Sequence, residues 1–324
     1  MKSLTRNEWD PLKKVVVGIA DDAKIPFLDP SLRLINYAHE KHTYKIPNGP
    51  YPAQVIEEAN EDLETLSNFL ISEDVEVFRP NKEYVPEYYN YCPRDTILTY
   101  DKYTIATPMS LVKRRNEWQA YSDIFSSMTV MGLPQYNDAL YNINCLGNPD
   151  ILALNDTEPC FDAANVLKAN DDLYYLISNT GNKKGAEKLQ ELFPQSKVHT
   201  IEGVYSYIHI DSTIALLREG LMLLNPSRIK SVEQLPLPLR NWDVIWAPEP
   251  VDIGHYPGYC NASTWVSVNL LSVNPNLVVL EEHQNNLRVE LEKHNIECAM
   301  LPMRHARTLG GCFHCVTVDI ERTH

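Results

Sequence analysis

The strongest candidate for chemistry is a thiol near the C-terminus, in the run Gly310-Gly311-Cys312-Phe313-His314-Cys315. A thiolate is a powerful nucleophile near neutral pH, and glycines beside it allow a sharp turn and close approach of a substrate. The β-branched residues that follow predict a buried strand over residues 313–319. Cysteine is also a common core residue, so this segment alone leaves a packing role open.

The C-x-x-C spacing of Cys312 and Cys315 offers zinc or redox chemistry as alternatives. Structural zinc needs a second pair of ligands at similar spacing, which the sequence lacks. A thioredoxin-like pair begins a helix, whereas a β-rich run follows here. We therefore expect no metal.

Three carboxylates and one imidazole lie beside apolar, strand-like runs rather than in charge clusters: Asp95, Asp162, Asp211 and His209. A buried carboxylate requires a partner, although an Asp that starts a turn is the simpler interpretation of each. If residues 209–211 form a strand, His209 and Asp211 share one face. Such a His would activate a thiol and carry a proton, while carboxylates would suit a guanidinium. Arg228 is a candidate for a substrate carboxylate, or else a helix-surface arginine.

The elements that must position these residues repeat as strand, strand, helix, strand, at a period of roughly 50–60 residues. Such a period is typical of a radial array, in which the starts of the first strands converge on the axis. We predict a single α/β domain over residues 1–324. The predicted helices are 52–70, 116–127, 184–193, 227–234 and 284–294. The predicted strands are 13–19, 75–78, 96–100, 103–107, 173–178, 197–201, 221–224, 244–246, 265–270, 277–280 and 297–301, with 313–319 returning to the first unit.

Composition limits the classes of partner that the protein is expected to bind. A net charge of −14 argues against nucleic acid, which binds basic surfaces. No stretch approaches the ~20 apolar residues of a membrane helix, and the N-terminus lacks the apolar core of a signal peptide. We expect a cytoplasmic protein with no membrane partner, whose seven cysteines are reduced.

Six motifs, in order along nearly the whole chain, resemble those of the amidinotransferases, the family of glycine amidinotransferase and its natural-product relatives. They are Asn7-Glu8-Trp9-Asp10-Pro11-Leu12, Pro93-Arg94-Asp95, Glu158-Pro159-Cys160-Phe161-Asp162-Ala163-Ala164, His209-Ile210-Asp211, Leu224-Asn225-Pro226 and Phe313-His314-Cys315. The resemblance implies a fivefold pseudosymmetric α/β propeller of ββαβ-type units. It also implies transfer of the amidino group of L-arginine to a small primary amine, such as glycine or γ-aminobutyrate. L-ornithine would be released, with no metal or organic cofactor, and the enzyme would be a homodimer.

The same resemblance assigns roles to individual residues. It makes Cys315 the nucleophile that carries a covalent amidino group, His209 the general acid and base, and Asp162 the carboxylate partner of His209. The substrate-binding residues would be Asp95 and Asp211 on the guanidinium, Arg228 on the amino-acid carboxylate, and Ser263 along the substrate.

Some positions depart from the family pattern, and two alternatives stay open. Asn165 stands where many relatives have Asp, Ala262 replaces a serine, and Ile208 replaces the methionine of the glycine-specific enzymes. These changes leave the acceptor undecided. A deiminase-like hydrolase of the same fold would use similar residues, and a non-catalytic ligand-binding protein would be expected to lack Cys315 or His209. Loops at 28–48 and 135–154 are candidates for gating the site.

Overall fold

The computed structural model describes residues 1–132 and 139–323. In these residues the fold is built mainly of small three-stranded sheets. In chain order the strands are β1 Leu12–Val17, β2 Lys24–Ile25, β3 Gly49–Pro50, β4 Glu76–Phe78, β5 Ile97–Tyr100, β6 Tyr103–Ala106, β7 Thr129–Val130, β8 Val166–Ala169, β9 Asp172–Leu176, β10 Lys197–Ile201, β11 Ile214–Arg218, β12 Leu221–Leu224, β13 Asp243–Trp246, β14 Leu271–Asn274, β15 Leu277–Glu281, β16 Glu297–Leu301 and β17 Thr317–Arg322. The helices are α1 Pro30–Ile35, α2 Ala53–Ser72, α3 Pro93–Thr96, α4 Lys183–Leu192, α5 Asn285–Glu292 and α6 Ala306–Leu309.

Five of the sheets in this part of the chain share one pairing pattern: β17-β1-β4, β5-β6-β7, β8-β9-β10, β11-β12-β13 and β14-β15-β16. In each, the first strand pairs antiparallel with the second, and the second pairs parallel with the third. Tight turns join the antiparallel strands that are consecutive in the chain, and three of these turns hold a residue with a positive φ: Asp101, Asn170 and Gly220. The parallel pairs need longer crossovers. The predicted α/β repeat is therefore present.

Where an α-helix forms the crossover, the spacing of its apolar residues explains why that segment folds as a helix. In α2 the buried side chains include Val55, Ala59, Leu63, Leu66 and Leu70, three or four residues apart on one face. The last strand, β17, pairs with β1 over Val15–Asp319 and Val16–Val318, which confirms the predicted return to the first unit.

Two predicted helices are wrong. Residues 116–127 contain only a 3₁₀ turn, Glu117–Tyr121, because the Glu117 side chain is buried and bound to Arg114 rather than exposed on a helix. Residues 227–234 form a 3₁₀ turn only at Val232–Gln234. There Ser231 caps a new turn, and Pro236 disfavours helical geometry at the residue before it.

Three predicted strand assignments are also wrong. Residues 265–268 belong to a 3₁₀ turn, Thr264–Val268, residues 269–270 are irregular, and the strand begins only at Leu271. Residues 313–316 form a turn, so the last strand starts at Thr317. Residues 209–211 lie at another 3₁₀ turn, Ile210–Ser212, not on a strand. A short apolar run does not by its periodicity separate a strand from a buried turn.

The candidate gating segments are not plain loops. Residues 28–48 hold α1 and the 3₁₀ turn Thr43–Lys45, and residues 139–154 hold the 3₁₀ turn Ile143–Cys145. Residues 135–138 of the second candidate lie outside the described residues. Across residues 1–132 and 139–323, no helix combines the length and apolarity needed to cross a bilayer.

Candidate active site

Six of the seven site residues predicted from the sequence sit on short segments that lead into the first strand of a sheet, and the seventh, Arg228, lies in the turn after β12. Asp95 lies in α3 ahead of β5, and Asp162 immediately precedes the 3₁₀ turn Ala163–Asn165 ahead of β8. His209 and Asp211 flank the start of the turn before β11. Ser263 immediately precedes the turn before β14, and Cys315 lies in the turn before β17. The repeat thus supplies one functional segment per sheet.

His209 is held between two carboxylates. Its Nε2 lies 3.0 Å from Oδ2 of Asp162, whose Oδ1 accepts hydrogen bonds from the backbone N–H and the hydroxyl of Ser110, each at 3.0 Å. Its Nδ1 lies 3.3 Å from Oδ1 of Asp95, an ion-pair contact. Burial alone would lower the pKa of His209, but the charge of Asp95 and the hydrogen bond with Asp162 raise it well above the usual value. The imidazole is therefore protonated at neutral pH.

Asp95 retains unmet acceptor capacity. Its Oδ2 accepts a hydrogen bond from Arg114 Nη1 at 2.6 Å. Its Oδ1 is buried and has no hydrogen-bond partner among the described residues, since the contact with His209 does not have hydrogen-bond geometry. A buried carboxylate oxygen in this state is suited to accept from a ligand N–H.

Cys315 is in direct contact with the other carboxylate. Its Sγ donates to Oδ2 of Asp211 at 3.2 Å, and the same oxygen lies 2.9 Å from Nδ1 of His314. The second ring nitrogen of His314 faces Glu8 at 3.4 Å. Burial would raise the pKa of Asp211, yet the hydrogen bond and charge of His314 lower it to about 2. Contact with Cys92, burial and the charge of Asp211 together raise the pKa of Cys315 well above its usual range, so the resting thiol is neutral.

The backbone around the thiol is fixed by two further residues. The Asn269 Oδ1 accepts from the backbone N–H groups of Cys312 (3.2 Å) and Cys315 (3.0 Å). A Cβ on Gly311 would lie 2.5 Å from Cys92 Sγ and 2.8 Å from Cys315 Cβ, so only glycine fits this approach. The glycine at this position is thus required by packing against Cys92 and Cys315, and Cys312 is a buried neighbour.

Beneath this turn, a buried ionic cluster joins it to α3. The Arg94 guanidinium donates to the carbonyls of His314 and Thr317 and to the Asp319 carboxylate, at 2.8–3.1 Å. The residue beside Arg94 is Asp95, so one cluster locks the thiol turn and the carboxylate turn together.

One cavity of about 510 Å³ connects most of the candidates. It is lined by five of the predicted residues: Cys315, His209, Asp211, Arg228 and Ser263. Asp95 and Asp162 line a smaller cavity of about 40 Å³, which shares His209 with the large one. The structure thus brings all seven predicted residues together, with these two carboxylates behind the imidazole.

Arg228 is positioned on one wall of the large cavity. Its Nη1 donates to the Ser212 carbonyl (3.0 Å), the Ser212 hydroxyl (2.8 Å) and Thr213 Oγ1 (2.7 Å), and its guanidinium carbon lies 3.6 Å from the ring centre of Tyr205. Contact through one nitrogen and one face leaves the rest of the guanidinium directed at the cavity. It is not a helix-surface arginine.

Sequence reasoning missed four residues of the site. His314 and Glu8 lie inside motifs that resemble the family, but no role was assigned to them. His314 could have been identified, because an ionisable residue beside a candidate nucleophile is a signal. Nothing in the sequence pointed to Arg114 or Asn269, because a buried arginine or asparagine is recognised only by its contacts.

Fold and cavity together define a class of protein: an α/β protein of small repeated sheets in which a thiol, a protonated imidazole and one carboxylate line a cavity, with two further carboxylates behind the imidazole. No protein-family model matches the chain. Inosamine-phosphate amidinotransferase 1 from Streptomyces glaucescens is 40% identical over 337 residues, covering 98% of this chain and 96% of that protein. Mitochondrial glycine amidinotransferase from Xenopus tropicalis is 31% identical over 348 residues, covering 98% and 82%. The solved structure of an inosamine-phosphate amidinotransferase from Streptomyces griseus matches with a TM-score of 0.95 at 38% identity, covering 99% and 97%.

The chain belongs to the amidinotransferase family, as the sequence motifs predicted. It is therefore an enzyme that transfers amidino groups.

Proposed function

We propose that this enzyme transfers the amidino group of L-arginine to a primary amine through a covalent intermediate on Cys315. The observation that carries the proposal is the placement of the Cys315 thiol, the His209 imidazole and the Arg228 guanidinium around one cavity. L-Arginine offers a group for each: an electrophilic carbon, a leaving amine and a carboxylate.

The carboxylates hold and activate the guanidinium. Asp211 is anionic above its pKa of about 2, and the free Oδ1 of Asp95 accepts a further N–H. Two carboxylates keep the substrate protonated, which preserves the positive charge on the carbon under attack. The positive charge also lowers the pKa of the adjacent Cys315 thiol, so substrate binding itself favours the thiolate.

The protons balance through His209 and Asp211. The thiol proton passes to Asp211, which accepts the Sγ–H hydrogen bond at 3.2 Å, and the thiolate forms an S–C bond to the guanidinium carbon. The imidazolium donates its proton to the departing δ-nitrogen, and the C–N bond breaks to release neutral ornithine amine and leave an amidino-thioether on Cys315. His209, now neutral, then takes a proton from the incoming acceptor amine as that amine attacks the same carbon. The C–S bond breaks to release the new guanidino compound, and the proton held by Asp211 returns to the sulfur to regenerate the thiol. The cycle is ping-pong.

For the acceptor, we propose a primary amine larger than glycine. A cavity of about 510 Å³ is in the range that buries a multi-atom ligand, and the 40% identical relative is named for inosamine phosphate. Glycine and γ-aminobutyrate are the small-amine alternatives.

For the fold, we propose that the five equivalent sheets close into a fivefold propeller forming one domain over residues 1–324. The common position of the site segments, ahead of the first strands, supports this arrangement.

One assay tests the reaction. The protein is incubated with L-arginine and each of inosamine phosphate, glycine and γ-aminobutyrate, and products are identified by mass spectrometry. We expect ornithine and a new guanidino compound in equal amounts; citrulline instead would indicate the deiminase-like hydrolase, and no turnover a non-catalytic ligand-binding protein.

The nucleophile is tested on the intact protein. After brief incubation with arginine alone, wild type should gain the mass of one amidino group, and Cys315→Ala should gain none. Cys298→Ala is the matched control, since Cys298 lies on β16 away from the cavity. An adduct that persists in Cys315→Ala would contradict the assignment.

A further inference from the structure

Arg228 differs from the buried arginines of this protein in having no carboxylate beside it. Arg94, Arg114 and Arg322 each form an ion pair with an Asp at 2.6–2.8 Å. In the part of the chain that the structure describes, no carboxylate oxygen lies within 4.0 Å of a nitrogen of Arg228. Burial lowers the pKa of its guanidinium from the ordinary value, because the charge is partly removed from water. This cation therefore needs another kind of partner.

The Tyr205 ring is that partner. The guanidinium carbon of Arg228 lies 3.6 Å from the ring centre, and the negative face of an aromatic ring attracts a cation without carrying a charge of its own. Tyr205 in turn packs against the apolar cluster that includes Ile201, Ile210 and Ile229. The core thus fixes the ring, and the ring fixes the plane of the guanidinium.

Stacking leaves one edge of the guanidinium free. The hydrogen bonds from Arg228 to the described residues all leave from Nη1, to Ser212 and Thr213. Nε and Nη2 form the other edge, whose parallel N–H groups match a carboxylate bidentately. An Asp in place of the Tyr205 ring would occupy that edge and compete with a ligand carboxylate, whereas an aromatic face does not.

We propose that Tyr205 is the positioning residue of the donor site. Its ring holds Arg228 in place without neutralising it, so that the free edge receives the α-carboxylate of the donor. The ring thereby makes the site select L-arginine over agmatine, which is arginine without the carboxylate. This inference rests on the proposed transfer from L-arginine and names what sets its donor specificity.

The test follows the first half-reaction, so that no acceptor is needed. Enzyme is mixed with L-arginine or agmatine alone, and the burst of ornithine or putrescine gives a limiting rate and a half-saturating donor concentration. Tyr205→Leu removes the ring, and Tyr205→Phe keeps its face. Tyr207→Leu is the matched control, since the Tyr207 ring lines the same cavity 6.5 Å from that of Tyr205, and its hydroxyl donates to the Asn36 carbonyl at 2.9 Å.

We expect Tyr205→Leu to raise the half-saturating concentration of arginine about 5- to 30-fold, the effect of losing a desolvated cation–π contact. The limiting rate should change less than about threefold, because the contact acts on the carboxylate and not on the reacting carbon. For agmatine both quantities should change less than about threefold, and Tyr205→Phe should stay within about threefold of wild type for both donors.

Two comparisons separate positioning from packing. Tyr207→Leu should change arginine and agmatine by the same factor. In an Arg228→Gln background, Tyr205→Leu should add less than about threefold, because the contact that it removes is already lost.

Equal losses for the two donors would overturn the inference, and so would a Tyr205→Phe as impaired as Tyr205→Leu, or additive losses in the double variant. If agmatine gives no burst, its inhibition constant against arginine replaces the half-saturating concentration. A wild type that releases no ornithine would contradict the proposed transfer instead, and calorimetric binding of the two donors then tests Tyr205 separately. If Tyr205→Leu does not fold by circular dichroism, Tyr205→Met, which fills more of the volume without a ring, decides by the same comparisons.

Discussion

Replacing His314 by Asn isolates the charge that holds Asp211 ionised beside the thiol. The Asn amide nitrogen replaces Nδ1 as a donor to Asp211, so the hydrogen bond at 2.9 Å is kept while the positive charge is lost. The Asp211 pKa is lowered from 3.8 to about 2, chiefly by His314 acting against burial, which corresponds to about 2 kcal/mol. We expect His314→Asn to reduce the free energy of unfolding at pH 5 by no more than about 2 kcal/mol, because the retained hydrogen bond preserves part of the Asp211 shift.

The two pKa shifts determine the pH range in which the stability difference between wild type and variant is largest. Asp211 has a lowered pKa in the folded state, so its contribution is present above about pH 4 and is lost as the pH falls through about 2. His314 has a raised pKa, because the hydrogen bonds with Asp211 and Glu8 outweigh burial and the charge of Arg94. Its contribution is present below about pH 6.5 and is lost as the pH rises through the folded value. The difference between wild type and variant should therefore be largest between about pH 4 and 6.5.

Urea unfolding followed by tryptophan fluorescence at pH 2.5, 5 and 9 measures this difference, with the exposed His42→Asn as control. A loss of stability that is the same at all three pH values would refute the reasoning, because it would reflect packing rather than charge. An unchanged stability at pH 5 would refute it equally.

Two other changes test the geometry. Asp162→Asn should lower kcat/KM for arginine by about 10²- to 10⁴-fold, because a buried ion pair is broken. It should also move the alkaline limb of ornithine release to lower pH as the His209 pKa falls, and an unmoved limb would contradict the assigned pairing. Gly311→Ala should cost about 1–3 kcal/mol of stability and most activity, since its Cβ would clash with Cys92 and Cys315. Gly132→Ala, whose added Cβ would lie within 4 Å of no atom of residues 1–132 and 139–323 other than its chain neighbours, is the control in urea unfolding and turnover, and equal effects of the two would count against the close-approach argument.

Much of the architecture was accessible from the sequence because it depends on local pattern. The alternation of β-branched runs, turn residues and amphipathic segments predicted strands such as Leu221–Leu224 and Lys197–Ile201 with the observed bounds. The predictions failed where tertiary contacts override local preference. The buried Glu117–Arg114 pair keeps its segment from forming a helix, and the apolar run before Leu271 forms a turn that presents Asn269 to the thiol segment.

The sequence by itself determined which residue types are available and in what order: a thiol after paired glycines, an imidazole two residues from a carboxylate, and two further carboxylates beside apolar runs. Only the tertiary structure decided their chemical state. His209 is protonated because Asp95 and Asp162 approach it from different sheets, and Cys315 is neutral because Cys92, burial and Asp211 surround it. These shifts arise from contacts of 3.0–3.3 Å between groups that are far apart in the chain: His209 with Asp162 and Asp95, and Cys315 with Asp211, which lies 104 positions away. Electrostatic interactions at such distances depend on how the sheets pack, and no local pattern contains that information.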